Sequence, residues 1–231
     1  MKITILTAFW KRPDVLKIFL RSIELLRESE DVDLVAVGSE RDLIPEWATF
    51  VRFKNMPLSD KWNVGLQNCK DADYVIILGS DDIIDISLLK EMIKRMKKGI
   101  DFIYLTDFYL YDIRSRSGMY WGGYVSERKG EGGGVGRCIS KRVLQILDYQ
   151  LWPNGLPKGL DAGMMDRLYY LKHTKEAISL KETDSFGIDL KGEDNLTKFW
   201  LWKNAQPIRI KRELFKGLKD ELCTAILKLR G

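Results

Sequence analysis

Asp73-Tyr-Val-Ile-Ile-Leu-Gly-Ser-Asp-Asp82 decides how this chain is read. Tyr74 to Leu78 is an unbroken apolar run with two adjacent β-branched residues, Ile76 and Ile77, and Gly79-Ser80 ends it. A short run that is apolar at every position describes a strand buried on both faces, as in a parallel sheet under helices. Ligands of open α/β sheets bind outside the carboxyl ends of such strands. Asp81 and Asp82 are therefore expected at the mouth of a crevice. Adjacent carboxylates repel one another, and a divalent cation is a chemical reason to keep them together. The competing reading is that one of the two caps a helix beginning near Ile83. The segment alone leaves both open.

Upstream, Lys2 to Ala8 reads as a first strand, and Phe9 to Pro13 as a loop at the same sheet edge as Asp81. Asp14 is placed to cap a helix with the apolar stripe Val15, Ile18, Phe19, Ile23 and Leu26. Strands follow at Asp33–Gly38 and Thr49–Phe53. Ser59 is then placed to cap a helix over Asp60–Cys69. Downstream, an amphipathic helix over Ile86–Met96 leads to a strand at Phe102–Thr106. This alternation predicts a parallel sheet with helices on both faces. The second half is less regular. Phe108–Tyr124 suggests antiparallel strands, Arg128–Gly136 a mobile glycine-rich loop, and Cys138–Leu147 a helix. Leu151–Gly163 reads as a loop, Asp161–Leu171 as a helix, and Phe186–Asn195 as a strand ending in polar residues.

The 231 residues are 45% hydrophobic and 31% charged, enough for a core and a solvated surface. No apolar run reaches the roughly 20 residues of a membrane span. The apolar start ends at Lys11-Arg12-Pro13, which suits a strand rather than a secretory signal. Cys69, Cys138 and Cys223 are scattered and odd in number, pointing to a reducing, cytoplasmic setting. With His173 as the only histidine, a zinc site or a Ser-His-Asp triad has little to build on. The net charge of +5 sits mostly in residues 207–231, which carry seven Lys/Arg and three Asp/Glu.

Four blocks together resemble the GT-A glycosyltransferases, family 2 in particular. They are Ile3–Ala8 with Arg12-Pro13, Pro57–Leu66 with its Asn63-Val-Gly65, Ile76–Asp82, and Gly159–Arg167. The resemblance spans roughly residues 1–200. It departs at Ser80-Asp81-Asp82, which lacks the first acid of an Asp-x-Asp, and at Trp62, where the family commonly has Arg. It implies a GT-A, Rossmann-like α/β fold with a mostly parallel central sheet and a smaller antiparallel acceptor-side portion. Residues 1–107 would form the nucleotide-sugar-binding half, 108–206 the acceptor half, and 207–231 a basic amphipathic helix. The implied activity is transfer of a sugar from a nucleoside-diphosphate sugar, a UDP-sugar first among them, to an acceptor hydroxyl. Inversion at the sugar carbon follows if the acceptor hydroxyl, deprotonated by a carboxylate base, attacks opposite the leaving group.

On that reading Asp82, with Asp81 and Asp189, holds Mn²⁺ or Mg²⁺. Thr7, Ala8, Phe9, Ser39 and Glu40 face the nucleotide, Lys61 and Asn63 lie near the donor, and Ser80, Asp81 and Lys191 approach the diphosphate. The plain alternatives are an ordinary loop acid for Glu40, a solvated lysine for Lys61, a helix-surface amide for Asn63 and an edge-strand face for Asp189 and Lys191. Asp161, with Asp166 second, is the base for the acceptor hydroxyl. Five apart on a helix, they do not share a face. Asp161 as a helix cap and Asp166 as a surface acid are the alternatives. Trp121 and Tyr124 suit acceptor stacking, with core packing as the alternative for Trp121, and Glu131–Gly136 suits a lid.

Pro207 is placed to start the last helix. Ile210, Leu214, Leu218, Leu222, Ile226 and Leu229 give it an apolar stripe, and Arg209, Arg212, Lys216 and Lys219 a basic one. Packing on the domain, lying on an anionic membrane, and contact with DNA are its three readings. They match an acceptor that is a glycan, a lipid-linked sugar or a modified nucleic-acid base. A sugar-nucleotide nucleotidyltransferase is the competing enzyme, although Phe9–Pro13 lacks its glycine-rich phosphate loop. A receiver-like phosphoacceptor domain would place an acidic pair beside the first strand, and this chain has none there. A non-catalytic nucleic-acid or membrane module rests on the tail alone.

Overall fold

The computed structural model describes residues 1–41, 43–195, 197–202, 204–209, 215 and 218–229. The first elements are β1 (Ile3–Ala8), α1 (Pro13–Arg27), β2 (Val32–Gly38), β3 (Thr49–Arg52), α2 (Leu58–Gln67) and β4 (Tyr74–Ile77). β1 lies between β2 and β4, parallel to both, with Ile3 opposite Val32 on one side and Tyr74 on the other. All four β4 residues are buried, the double-sided burial that its unbroken apolar run predicts. Gly65 in α2 allows close approach to this sheet. A Cβ there would stand 2.5 Å from Leu6 and 2.6 Å from Val37.

The chain continues through β5 (Asp82–Ile84), α3 (Ile86–Lys97), β6 (Phe102–Leu105), β7 (Phe108–Asp112), β8 (Ser117–Trp121), β9 (Arg137–Ser140) and α4 (Lys141–Ile146). It ends with α5 (Leu160–Tyr169), β10 (Lys175–Ile178), α6 (Leu180–Thr183), β11 (Gly187–Lys191), β12 (Ala205–Ile208) and α7 (Asp220–Lys228). The main sheet has seven strands in the order β10-β6-β9-β4-β1-β2-β3. All its pairings are parallel except those of β9, which runs antiparallel to both neighbours. A second, mixed sheet has the order β12-β8-β7-β11-β5. The fold is α/β, with a mostly parallel main sheet and this smaller sheet beside it.

Several local expectations are corrected. Asp14 does not cap α1. The cap position is Arg12, and Pro13 is the first helical residue. Ser59 lies inside α2, and its Oγ accepts from Leu156 N–H at 2.9 Å. Cys138 to Ser140 belong to β9, so only the second part of the expected helix over 138–147 forms. The glycine-rich loop is packed: Cβ atoms on Gly132 and Gly133 would collide with Tyr104 and with Phe108, and Gly133 N–H donates to Leu105 O.

The tail differs most. Pro207 sits in β12, an edge strand, where a missing N–H is tolerated. The helix starts only at Asp220. Leu222 and Ile226 are buried in it, while Lys219 pairs with Glu28 at 2.7 Å and Glu221 with Arg21 at 2.7 Å, tying α7 to α1. Ile210, Leu214, Arg212 and Lys216 lie outside the described residues. Among the described residues no helix is long and apolar enough to cross a membrane.

Candidate active site

β4 ends at Ile77, and the chain turns through Leu78-Gly79-Ser80-Asp81 directly into β5. A Cβ on Gly79 would stand 2.6 Å from Asp81 Oδ1 and 2.9 Å from Asp82 Oδ2. The glycine is therefore what lets both carboxylates fold back over the strand end, and its N–H donates to Asp82 Oδ2 at 2.7 Å. Neither Asp81 nor Asp82 caps α3. Asp85 does, accepting from Leu88 N–H at 2.8 Å. The helix-cap reading of the acidic pair is thus removed.

β5 pairs antiparallel with β11, which sets Asp189 directly opposite Asp82. Asp81, Asp82 and Asp189 each bring a carboxylate oxygen within 4.8 Å of the others. The alternation along β11 puts Lys191 on the same side as Asp189, and the two form an ion pair. β11 is an interior strand, between β5 and β7. Arg12 reaches the cluster from the other end of the chain. Lys11 and Arg12 adopt left-handed backbone at φ 54° and 55°, a costly conformation for non-glycine residues. Arg12 Nη1 donates to Asp81 Oδ2 at 2.9 Å and to Asn195 Oδ1 at 3.1 Å. Asn195 Nδ2 donates to Asp81 at 2.5 Å.

The electrostatics follow from this crowding. Burial, with Asp189 and Asp81 alongside, pushes the Asp82 carboxyl well above the usual carboxylate range. Burial also raises Asp189, to about 6, against the pull of Lys191. Burial opposes the charge of Asp81 as well, but Arg12, Lys191 and the hydrogen bonds from Arg12 and Asn195 outweigh it and hold this acid low. Asp189 Oδ1 is buried with no hydrogen-bond partner. A buried, unpartnered carboxylate oxygen is costly, and a divalent cation among three carboxylates would supply the missing partner. The donor set is all hard oxygen, which fits Mg²⁺ or Mn²⁺.

The cluster lines a cleft of about 300 Å³. Asp161, in the first turn of α5, lines the same cleft. Arg137 Nη1 lies 2.8 Å from Asp161 Oδ1, and Tyr124 Oη donates to Asp161 Oδ2 at 3.3 Å. Burial alone would raise Asp161, but Arg137 and the hydrogen bonds to it keep it below the usual range. The helix cap is Gly159, so Asp161 is not spent on capping. Asp166 is exposed and outside the cleft lining. Trp62, Trp152, Leu58 and Leu160 supply apolar wall.

The other expected residues divide between the cleft and its surroundings. Ala8, Ser80, Lys61 and Lys191 line the cleft; Thr7, Ser39 and Glu40 do not. Thr7 is buried within β1, and Ser39 and Glu40 follow β2. Phe9 turns its ring onto Gly38. Lys61 is only 1% exposed. Its Nζ donates to Phe9 O at 2.5 Å and Asn55 Oδ1 at 3.1 Å, and burial lowers its pKa to about 8. Asn63 clamps the Trp152 backbone, donating to its O at 2.8 Å and accepting from its N–H at 3.2 Å. Trp121 is buried among Phe108, Tyr124 and Trp202, so it is core rather than acceptor surface. Arg12, Arg137 and Asn195 were not singled out as site residues from sequence. Only the polar end of the Phe186–Asn195 segment hinted at Asn195.

No protein-family profile matches this sequence, and no curated protein matches it. Solved structures do. Residues 1–349 of Staphylococcus aureus TarS superpose with a TM-score of 0.57 at 13% identity, covering 98% of this chain and 69% of that one. 4-Diphosphocytidyl-2C-methyl-D-erythritol synthase from Anaerococcus prevotii superposes at 0.52 and 11% identity, over 78% of this chain and 88% of that one. A197 from STIV aligns at 0.46 and 12%, over 78% and 82%, too loose a match to bear on function. The chain has a GT-A-like fold, with three clustered carboxylates beside the end of its central strand.

Proposed function

We propose that this protein transfers a sugar from a nucleoside-diphosphate sugar, a UDP-sugar first among them, to an acceptor hydroxyl, using Mg²⁺ or Mn²⁺ held by Asp81, Asp82 and Asp189. One observation carries the reading. Three carboxylates from two chain segments converge in a cleft at the carboxyl end of β4, and one of their buried oxygens has no partner. When bound there, the ion supplies charge neutralisation for a departing diphosphate.

The chain's own groups have distinct tasks. Lys191 and Arg12 are cations beside the acidic cluster and lie where diphosphate oxygens would need donors. Asp161 takes the proton of the acceptor hydroxyl. Arg137 and Tyr124 fix its orientation, and Arg137 keeps it ionised and ready to accept. The apolar wall excludes water that would otherwise compete with the acceptor. An acceptor hydroxyl deprotonated by Asp161 and attacking opposite the departing diphosphate inverts the sugar carbon.

The competing reading is a nucleotidyltransferase, which joins a nucleotide to a sugar phosphate on a similar sheet. Product analysis separates them. Incubation with Mn²⁺ and a panel of nucleotide-sugars is expected to release nucleoside diphosphate from one donor. Release of pyrophosphate from a nucleoside triphosphate and a sugar phosphate, with every nucleotide-sugar left intact, would replace this reading with the other.

A further inference from the structure

We propose that Lys191 and Arg12 compete with the divalent cation for the acidic cluster, and that a diphosphate settles the competition by taking both side chains, so that cation and diphosphate bind as a coupled pair. The inference rests on the metal site proposed above and adds how that site is loaded.

Lys191 and Arg12 already occupy cluster oxygens. Lys191 Nζ pairs with Asp189 Oδ2. Arg12 Nη1 and Asn195 Nδ2 both hold Asp81 Oδ2. The pairs are sheltered: the Lys191 and Asp189 side chains are 7% and 11% exposed, and those of Arg12 and Asp81 17% and 15%. With all three carboxyls ionised, as a bound cation requires, three carboxylates against these two cations leave one negative charge uncompensated. A divalent ion turns that into one surplus positive charge, in a site where water screens little. Asp189 Oδ1 is buried and has no hydrogen-bond partner. An ion there nonetheless sits on the carboxylate that Lys191 holds by its other oxygen, and the two cations repel. A metal ion alone is therefore opposed by Lys191 and Arg12. A diphosphate alone meets three carboxylates. Together they satisfy every group: carboxylates on the ion, ammonium and guanidinium on phosphate oxygens. Lys191 also lies 5.5 Å from the Trp202 ring centroid, a second favourable contact beside the ion pair. Linkage requires the effect to be reciprocal.

The test is a calorimetric titration of Mn²⁺ into wild type, Lys191→Met, Lys191→Arg and Arg12→Gln, each alone and with saturating UDP. Solution chelation of Mn²⁺ by UDP is the same for every protein and cancels between them. Lys191→Met is expected to bind Mn²⁺ alone about tenfold more tightly than wild type, within the usual range of site–site coupling. With UDP present, that advantage is expected to disappear. Lys191→Arg keeps the cation and is expected to behave as wild type. Should Lys191→Met fail to fold by circular dichroism, Arg12→Gln carries the same expectation. Equal or weaker Mn²⁺ binding by the folded variants, against a wild type that binds, overturns the exchange and leaves the metal site standing. Absence of Mn²⁺ binding in all four proteins, with or without UDP, overturns both.

Discussion

Asp82 on β5 and Asp189 on β11 face each other as a register pair across an antiparallel ladder, 107 positions apart in sequence. Like charges directly opposite one another destabilise a sheet, and burial pushes both carboxyls upward, with Asp189 and Asp81 adding to it at Asp82 and Asp81 at Asp189. Such a pair costs stability that function has to justify. Asp82→Asn is expected to stabilise the metal-free protein by about 1 kcal/mol, or roughly 2–4 °C in Tm at this chain length. The same change is expected to weaken Mn²⁺ binding. Thermal melts with EDTA and with Mn²⁺ check both directions; a variant less stable in EDTA would contradict the repulsion.

Asp161 and Asp166 separate cleanly. Asp161→Asn is expected to lower the rate of transfer by about 10² to 10⁴-fold, the usual contribution of a positioned base, with donor affinity retained. Asp166→Asn is expected to match wild type, because its side chain is exposed and outside the cleft. Steady-state kinetics on both variants would show it. Loss in Asp166→Asn with Asp161→Asn intact would reverse the assignment.

Asp101 fastens the strand that carries Arg137. Its carboxylate accepts from Ser140 Oγ at 2.8 Å, Thr174 N–H at 2.9 Å and Arg142 Nε at 3.0 Å. Burial opposes its charge, but these donors prevail and hold its pKa below the ordinary value. A carboxyl depressed in the folded state binds its proton more readily when unfolded. Its contribution is therefore complete above the unfolded value near about 4, and is lost as pH falls towards the folded one. Asp101→Asn is expected to cost about 2 kcal/mol at neutral pH, with the gap to wild type narrowing below about pH 4. Urea unfolding across pH measures it.

Lys61 has the opposite signature. Burial lowers its pKa to about 8, so between there and the unfolded lysine value near about 10.4 the unfolded chain holds more protons. Stability is then expected to rise with pH through that window. Lys61→Met is expected to flatten the rise, which denaturant midpoints at pH 7.5 and 9.5 would reveal.

How much of this was legible in the sequence depended on how locally each feature is encoded. The run Tyr74–Leu78 needs no partner to be read, because double-sided burial leaves an apolar residue at every position. Asp189 and Lys191 were legible through alternation along one strand. Arg137 was not. β9 is four residues long and runs against the grain of a mostly parallel sheet, and Arg137-Cys-Ile-Ser merges with the helix that follows. Arg12 was visible as part of a loop, but the left-handed turn that returns it to Asp81 has no sequence signature without glycine. Trp121 shows the limit of residue type, since an aromatic ring suits a stacking surface and a core equally. Pro207 does too: its fixed φ and missing N–H suit a helix start or an edge strand, and the neighbouring β8 decides.

The most direct measurement is a crystal structure with Mn²⁺ and UDP, using the anomalous signal of the ion. One peak is expected, coordinated by at least two of Asp81, Asp82 and Asp189, with the diphosphate reaching Lys191 and Arg12. A diphosphate bound elsewhere, or a cleft with both ligands absent at saturating concentration, would contradict it.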